Sequence, residues 1–196
     1  MFIDYVTLLL VNMAAGYLVL AGYVLRGTSD PDQRRWGVAF LPVGLVATLF
    51  GGAMCVTWPL PGPFNAAYGE LSVLLGVLFL AAGLALVRGW GISALTIYAL
   101  VAGFVAAFVG FRFLSLGLTP QPFLTALGMW LSGLGGMMAL PTITWSRGSV
   151  PWRAVCAMML VGAAMIWLFT ALGAYWMHLE SFGAYQPPGM TAGGGA

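Results

Sequence analysis

The sequence has very little charge. Only 6% of its 196 residues are charged and 61% are hydrophobic, whereas about a quarter of the residues of a soluble domain are charged. So few charges cannot cover a water-exposed surface of this size, which excludes an ordinary soluble protein. Lysine is absent, and the basic residues form no run of the kind that binds nucleic acid. The sequence therefore predicts the lipid bilayer as the main partner and excludes nucleic acid.

Residues that commonly carry metal or redox chemistry are also scarce. The chain has two cysteines and one histidine, too few for a disulfide framework, a zinc cluster or a bis-histidine haem within one chain. It contains no P-loop, no Gly-x-Ser-x-Gly, no His-Glu-x-x-His and no Cys-x-x-Cys. An enzymatic role is therefore less favoured than a binding or structural one, although the sequence does not decide the question.

Long apolar runs are abundant. A helix needs about 20 apolar residues to cross the hydrocarbon core of a bilayer, and segments rich in Pro, Gly or Arg divide the chain into six such runs. The predicted fold is an all-α integral membrane protein, with a single six-helix bundle over residues 1–185 and a flexible Pro/Gly-rich tail over 186–196. The predicted spans are about 5–25, 37–58, 66–87, 92–114, 123–145 and 154–177.

The arginines predict the orientation of the bundle. They fall in or beside the first, third and fifth connections, which share one side of the membrane, and only Arg112 falls toward the other side. Cytoplasmic connections carry an excess of Arg and Lys. We therefore predict both termini on the extracytoplasmic side.

Polar side chains concentrate on the predicted outer side. Apart from Asp30 and Asp32, every acid in the chain lies there, together with the only histidine. The polar groups on this side are Asp4, Asn65, Tyr68, Glu70, Arg112, Tyr175, His178 and Glu180. If the protein has a functional site, we expect it to open outward.

Glu70 is the first candidate residue. If Asn65 caps the third helix, Glu70 lies in its second turn, slightly below the interface. An ionised carboxylate at that depth is costly and usually has a partner, and the guanidinium of Arg112 on the next helix suits a carboxylate. Two interpretations stay open: a structural Glu70–Arg112 ion pair, or a site where Glu70 binds a ligand or accepts a proton.

His178 is the second candidate. It is either an interfacial residue that stabilises a helix end or a ligand of a metal ion, in a set formed by His178, Glu70 and Glu180. His178 and Glu180 are two positions apart, about 200° around a helix, so both bind one ion only if the helix ends before Glu180. A bound metal ion is thus compatible with the sequence, and the cofactor is otherwise unknown.

Three segments resemble a known family. They are the start Met1-Phe-Ile-Asp-Tyr5, the stretch 57–76 (TWPLPGPFNAAYGELSVLLG) and the stretch 175–182 (YWMHLESF). Together they resemble a prokaryotic family of uncharacterised multi-pass membrane proteins, classed as a domain of unknown function with six predicted spans. The resemblance implies a location in the cytoplasmic membrane of a prokaryote and implies no activity.

The first functional hypothesis is an outward-facing polar site for a metal ion or a small polar ligand, between helices one, three, four and six. Glu70 and His178 would contact the ligand, and Arg112 and Asp4 would adjust the charge. The full ligand-binding set would be Glu70, Arg112, Asp4, Tyr68, Asn65 and Tyr175, and Tyr68, Asn65 and Glu180 would form the rim of the site.

The second hypothesis is a non-catalytic subunit or scaffold of a larger membrane complex, for example a redox complex, or a homo-oligomer. Its basis is scarce charge and smooth Gly/Ala/Ser faces, because small residues let a second helix approach closely. One such face, Gly128, Ser132 and Gly136 on the fifth helix, is also predicted to close the bundle itself. A membrane-embedded enzyme, with Glu70 as general base and Arg112 as electrostatic stabiliser, ranks last because no motif supports it.

Overall fold

Six long α-helices make up most of the part of the chain that the computed structural model describes, residues 4–145 and 149–183. In chain order they are α1 (Tyr5–Leu25), α2 (Arg34–Thr57), α3 (Leu71–Arg88), α4 (Leu95–Leu116), α5 (Pro122–Ala139) and α6 (Val150–Ser181). A π-helical turn, Asn65–Glu70, leads into α3, and a second, Leu140–Trp145, follows α5. No strand occurs in these residues. The predicted all-α class is confirmed for them.

Each of the six helical segments is long and apolar enough to cross a membrane. Several of their ends differ from the expected ones: α4 begins at Leu95 instead of 92, and α6 begins at Val150 instead of 154. α2 begins at Arg34, earlier than expected, where the Arg34 backbone N–H donates to Asp32 Oδ1 (3.1 Å). α6 continues to Ser181 instead of ending near 177. The tail predicted over 186–196 lies outside the described residues.

The helices pack as an incomplete ring. α2 pairs with α3, α4 with α5, and α1 with α6, while α1 also packs on α2 and α5 on α6. Asn12 Nδ2 on α1 donates to the Val43 carbonyl oxygen on α2 (2.9 Å). Contact between α3 and α4 is sparse. The ring is therefore closed everywhere except between α3 and α4.

Glycines make two of the closed seams very tight. A Cβ added to Gly44 on α2 would lie 2.5 Å from the Leu80 backbone nitrogen on α3. A Cβ added to Gly103 on α4 would lie 2.4 Å from the Gly133 carbonyl oxygen on α5. Any larger side chain at these positions would push the helices apart, because backbone meets backbone there.

The small-residue face predicted on the fifth helix lies inside the bundle. A Cβ added to Gly128 would lie 2.9 Å from the Trp167 ring of α6, and one added to Gly136 would lie 3.1 Å from the Ala99 carbonyl oxygen of α4. Trp167 Nε1 donates to Ser132 Oγ (2.9 Å). This face closes the bundle itself, so it gives no support to a surface for a partner protein.

Arg153, near the start of α6, is buried and caps α1. Its guanidinium donates to the carbonyl oxygens of Val24 (2.8 Å) and Leu25 and to Ser29 Oγ (2.9 Å). The last carbonyl groups of a helix have no partner within it. Arg153 therefore satisfies the end of α1 and fixes it to α6, a role that the charge count alone did not indicate.

Candidate functional site

The predicted outer residues do not converge on one point. Glu70 ends the π-helical turn before α3, is exposed, and makes no hydrogen bond or ion pair with the described residues. Arg112 is also exposed, and its Nη1 donates to Ser115 Oγ (3.3 Å) on its own helix. The Glu70–Arg112 ion pair that we expected as the structural alternative is therefore not formed.

Asn65 does not cap α3 as expected. It is fully buried, its Nδ2 donates to the Leu60 carbonyl oxygen (2.5 Å), and the Leu60 N–H donates to its Oδ1 (3.1 Å). Both ends of the amide thus bind one backbone residue of the Pro-rich connection between α2 and α3. The side chain holds that connection in place.

The two tyrosines of the predicted site differ in surroundings. Tyr68 is buried, with its ring edge-on to Phe113 (centroids 5.6 Å apart) and stacked on Phe64 (6.4 Å). Tyr175 lies exposed on α6. Tyr68 is thus part of the bundle interior, not of an outward-facing rim.

Asp4 and His178 do meet. His178 Nδ1 lies 2.5 Å from Asp4 Oδ2 and 3.4 Å from Thr7 Oγ1. Asp4 also caps α1, because its Oδ1 accepts a hydrogen bond from the Thr7 N–H (3.3 Å). The pair is partly exposed and joins α1 to α6 at the end of the bundle opposite Arg153.

The geometry does not assemble the expected metal set. α6 continues through Glu180 to Ser181, so His178 and Glu180 face different sides of the helix. Over residues 4–145 and 149–183 there is no group of three His, Cys, Asp or Glu side chains that could hold a metal ion. His178, Glu70 and Glu180 therefore form no metal centre in this arrangement.

An apolar cavity lies where the ring is open, between α3 and α4. We call it the seam cleft; its volume is about 110 Å³. Its walls are formed by one face of each helix, Leu71, Leu75, Leu78 and Ala82 on α3 and Leu95, Ala99, Ala102 and Ala106 on α4. From Tyr68 to Ala82 the wall extends roughly 20 Å at 1.5 Å per residue. That is more than one leaflet of a hydrocarbon core about 30 Å thick.

The back of the seam cleft is formed by the other helices. Tyr17 of α1 and Trp167 of α6 lie at Ser132 of α5, whose Oγ donates to the Gly128 carbonyl oxygen (2.7 Å) while it accepts from Trp167. Trp167 Nε1 and Ser132 Oγ thus have partners within the bundle. The seam cleft therefore presents an almost entirely hydrocarbon surface.

A second cavity, of about 420 Å³, lies at the arginine-rich end of the bundle. We call it the end pocket; it is bordered by the first connection and by the turn between α3 and α4. Its lining is Tyr23, Thr28, Pro31, Asp32, Gln33, Arg34, Leu86, Gly89, Trp90, Gly91, Ile92 and Ile143. Tyr23, Ile92 and Ile143 also line the seam cleft, so the two cavities adjoin.

The acids of the first connection are held by local hydrogen bonds. Asp30 accepts from the Arg35 guanidinium, from the Asp32 backbone N–H (3.2 Å) and from Trp36 Nε1 (3.3 Å). Burial raises the pKa of Asp30, but these hydrogen bonds lower it more, so its pKa lies below the ordinary value. Asp30 and Arg35 thus neutralise each other beside the end pocket.

Arg34 differs from Arg35. Its guanidinium makes no hydrogen bond or ion pair with any residue that the structure describes. Gln33 Oε1 accepts from the Tyr23 hydroxyl (3.0 Å), which leaves the Gln33 amide nitrogen without a partner among the described residues. Two residues that line the end pocket therefore carry unused hydrogen-bond donors, one of them charged.

Comparison with known proteins identifies the chain at the level of its family. No curated protein and no solved structure matches it. The family described as "Protein of unknown function (DUF981)" matches residues 1–181, almost all of the described chain, and this match confirms the resemblance found in the sequence. The protein thus belongs to the DUF981 family.

Proposed function

We propose that the protein binds a lipid-like molecule with one long hydrocarbon chain in the seam cleft. The observation that carries this proposal is the open seam itself, an apolar cavity where α3 and α4 should otherwise pack. In a bilayer, the outer edge of that seam faces lipid, so a chain can enter sideways without crossing water.

Packing, not hydrophobic transfer, would supply the affinity, because lipid tails are as apolar as the leucines of the cleft. Atoms that line a void lack contacts on one side, and each restored carbon–carbon contact contributes about 0.1–0.2 kcal/mol. A chain that lies along roughly 20 Å of wall makes many such contacts at once. A long, narrow, flexible occupant therefore fits better than a compact one.

We propose further that the membrane is the cytoplasmic membrane of a prokaryote, with both termini on the extracytoplasmic side. Support comes from the contacts of the arginine-rich end. Arg153 binds the last turn of α1, and Arg34 and the α3–α4 turn border one pocket. Arg112 lies at the opposite end, so the asymmetry matches the bias for positive charge on the cytoplasmic side.

The test uses two neighbouring positions of α4. Ala102 faces the seam cleft, whereas Val101 is 59% exposed on the outer side of the same helix. Ala102→Phe should fill the cleft and abolish retention of a lipid chain by the purified protein in native mass spectrometry. Val101→Phe should retain it as the wild type does. Equal retention by both variants would contradict the proposal.

The outward-facing end carries a second proposal, the binding of a small polar ligand at Asp4 and His178. The specific observation is their 2.5 Å contact in a partly exposed position. Elemental analysis and an absorbance spectrum of the wild type beside His178→Ala test it. A stoichiometric ligand lost in the variant supports this site, and an unchanged profile contradicts it. No contact in the described residues favours a subunit role.

A further inference from the structure

We infer that the end pocket binds the anionic head of an amphiphile whose hydrocarbon chain occupies the seam cleft. This inference rests on the proposed function, because it assigns the head group of the same occupant. It names the ligand class as a long single-chain molecule that ends in a carboxylate or a phosphate.

Continuity of the two cavities is the first argument. Tyr23, Ile92 and Ile143 line both. Where the cavities meet, Tyr23 packs edge-on against Phe40 (centroids 5.5 Å apart), and Phe40 packs edge-on against Phe79 (5.2 Å). An apolar channel that leads past aromatic rings into a polar cavity matches a molecule with an apolar body and a polar end.

The unused donors are the second argument. Arg34 and Gln33 line the end pocket, and the Arg34 guanidinium and the Gln33 amide nitrogen have no partner among the described residues. Arg88 lies close by, with its guanidinium 5.7 Å from the centroid of the Trp90 ring, and Trp90 lines the pocket. Charge-assisted hydrogen bonds from guanidinium groups to carboxylate or phosphate are among the strongest in proteins.

Asp32 is the one acid among the described residues of the lining, and its charge is partly offset. Its Oδ1 accepts a hydrogen bond from the Arg34 backbone N–H (3.1 Å) at the start of α2, where the helix dipole favours negative charge. Asp30 is bound to the Arg35 guanidinium, which offsets its charge, and it is not among the lining residues of the pocket. The balance of free groups is therefore cationic.

The location of the pocket is the third argument. It lies at the end of the bundle that holds most of the arginines, where the protein would meet the lipid head groups of one leaflet. Anionic lipids concentrate in the cytoplasmic leaflet, which attracts basic groups near the membrane surface. A head group at that depth can reach the end pocket while its chain lies between α3 and α4.

The experiment compares three probes of equal chain length, hexadecanoate, hexadecyl phosphate and hexadecanol, with the full-length protein in nanodiscs or mild detergent. Both anions should bind the wild type roughly tenfold or more tightly than hexadecanol, the gain expected from a charge-assisted hydrogen bond. The tighter of the two anions identifies the head as a carboxylate or a phosphate. Equal affinity for all three probes would overturn the inference.

Substitutions separate the head from the chain. Arg34→Gln should remove the preference for the anions and leave hexadecanol binding unchanged, whereas Arg112→Gln at the opposite end should alter neither. Asp32→Asn should tighten binding of the anions; weaker binding would mean that the carboxylate receives a cationic group, which overturns an anionic head.

Failure of the proposed function gives a different result. If none of the three probes binds, or if Ala102→Phe leaves hexadecanol binding unchanged, the chain does not occupy the seam cleft. If hexadecanol binds, is blocked by Ala102→Phe, and matches the anions in affinity, the chain site stands and only the head-group inference fails.

Discussion

The seams on the two sides of α3 are built differently. Toward α2, the glycines of α3 let backbones touch: a Cβ added to Gly76 would lie 2.5 Å from the Thr48 backbone nitrogen, and one added to Gly83 would lie 3.0 Å from the Gly37 carbonyl oxygen. Toward α4, the same helix presents leucines that line a cavity. The difference shows that small residues close a seam only when they let the backbones of both helices touch at the same level of the bundle.

The arrangement also divides the bundle into parts with different freedom. The α2–α3 hairpin and the α4–α5 hairpin are each tightly packed, and the α1–α6 pair holds one on each side. Between the hairpins, the chain itself is the main link, through a turn at Gly89, whose φ of 74° suits glycine. The helices α3 and α4 are thus joined at the arginine-rich end and make few contacts with each other along the rest of the seam cleft.

The largest effect should come from a large side chain in a tight seam. Gly44→Leu places atoms where the backbone of α3 already lies, and overpacking of this kind costs about 3 kcal/mol or more. We expect loss of most folded protein, measured by thermal unfolding and by the yield of monodisperse protein. Ala102→Leu, in the seam cleft, should be tolerated. Equal losses for both variants would contradict the comparison of the two seams.

A smaller loss should follow from opening the α1–α6 pair at its arginine-rich end. Arg153→Met removes a guanidinium that binds two carbonyl groups and a hydroxyl. Hydrogen bonds to charged groups contribute roughly 1.5–3 kcal/mol each, so we expect the free energy of unfolding to fall by about 3 kcal/mol. Arg112→Met, on an exposed arginine, should change it by less than about 0.5 kcal/mol. A similar small change for Arg153→Met would show that the cap is not needed.

The helices could be predicted because the signal is local. A run of apolar residues long enough to cross a bilayer has one low-energy conformation in that solvent, a helix with all its backbone groups bonded. The six runs therefore predicted six helices. Which face of each helix turns inward could not be predicted, because lipid-facing and buried positions are both apolar in this chain. A leucine of α3 that faces lipid cannot be distinguished by its sequence from one that lines the cavity.

The candidate site was harder to predict because it depends on helix rotation. The π-helical turn Asn65–Glu70 adds a residue to one turn, which rotates the two ends of the helix relative to each other by about 100°. Glu70, which was expected to face Arg112, is exposed at the end of this turn, and Asn65 bonds Leu60 instead of the helix end. The sequence predicted Asp4 and His178 on the same side of the membrane, but their contact depends on α1 packing against α6, which no local pattern indicates.

At the other end of α1, the Asp4–His178 contact should contribute less than the Arg153 cap, because both side chains are partly exposed. A double-mutant cycle of Asp4→Asn and His178→Gln isolates it, since Asn still caps a helix well. We expect a coupling free energy of about 0.5–1 kcal/mol. A coupling near zero would mean that packing alone holds these ends of α1 and α6 together.

The smallest effect should distinguish the two adjacent arginines of the first connection. Because hydrogen bonds hold the pKa of Asp30 below its ordinary value, they stabilise the fold above that ordinary pKa, and the contribution is lost as pH falls through the lowered folded-state pKa. Arg35→Gln should raise the pKa of Asp30, and its cost in stability should vanish in acid. Arg34→Gln should leave that pKa unchanged, because Arg34 makes no contact with Asp30. Titration of isotope-labelled aspartate by NMR, with Asp30→Asn for assignment, measures the pKa of Asp30 in both variants. If Arg34→Gln raised the pKa as much as Arg35→Gln, Arg34 would not be the free cation that the head-group inference requires.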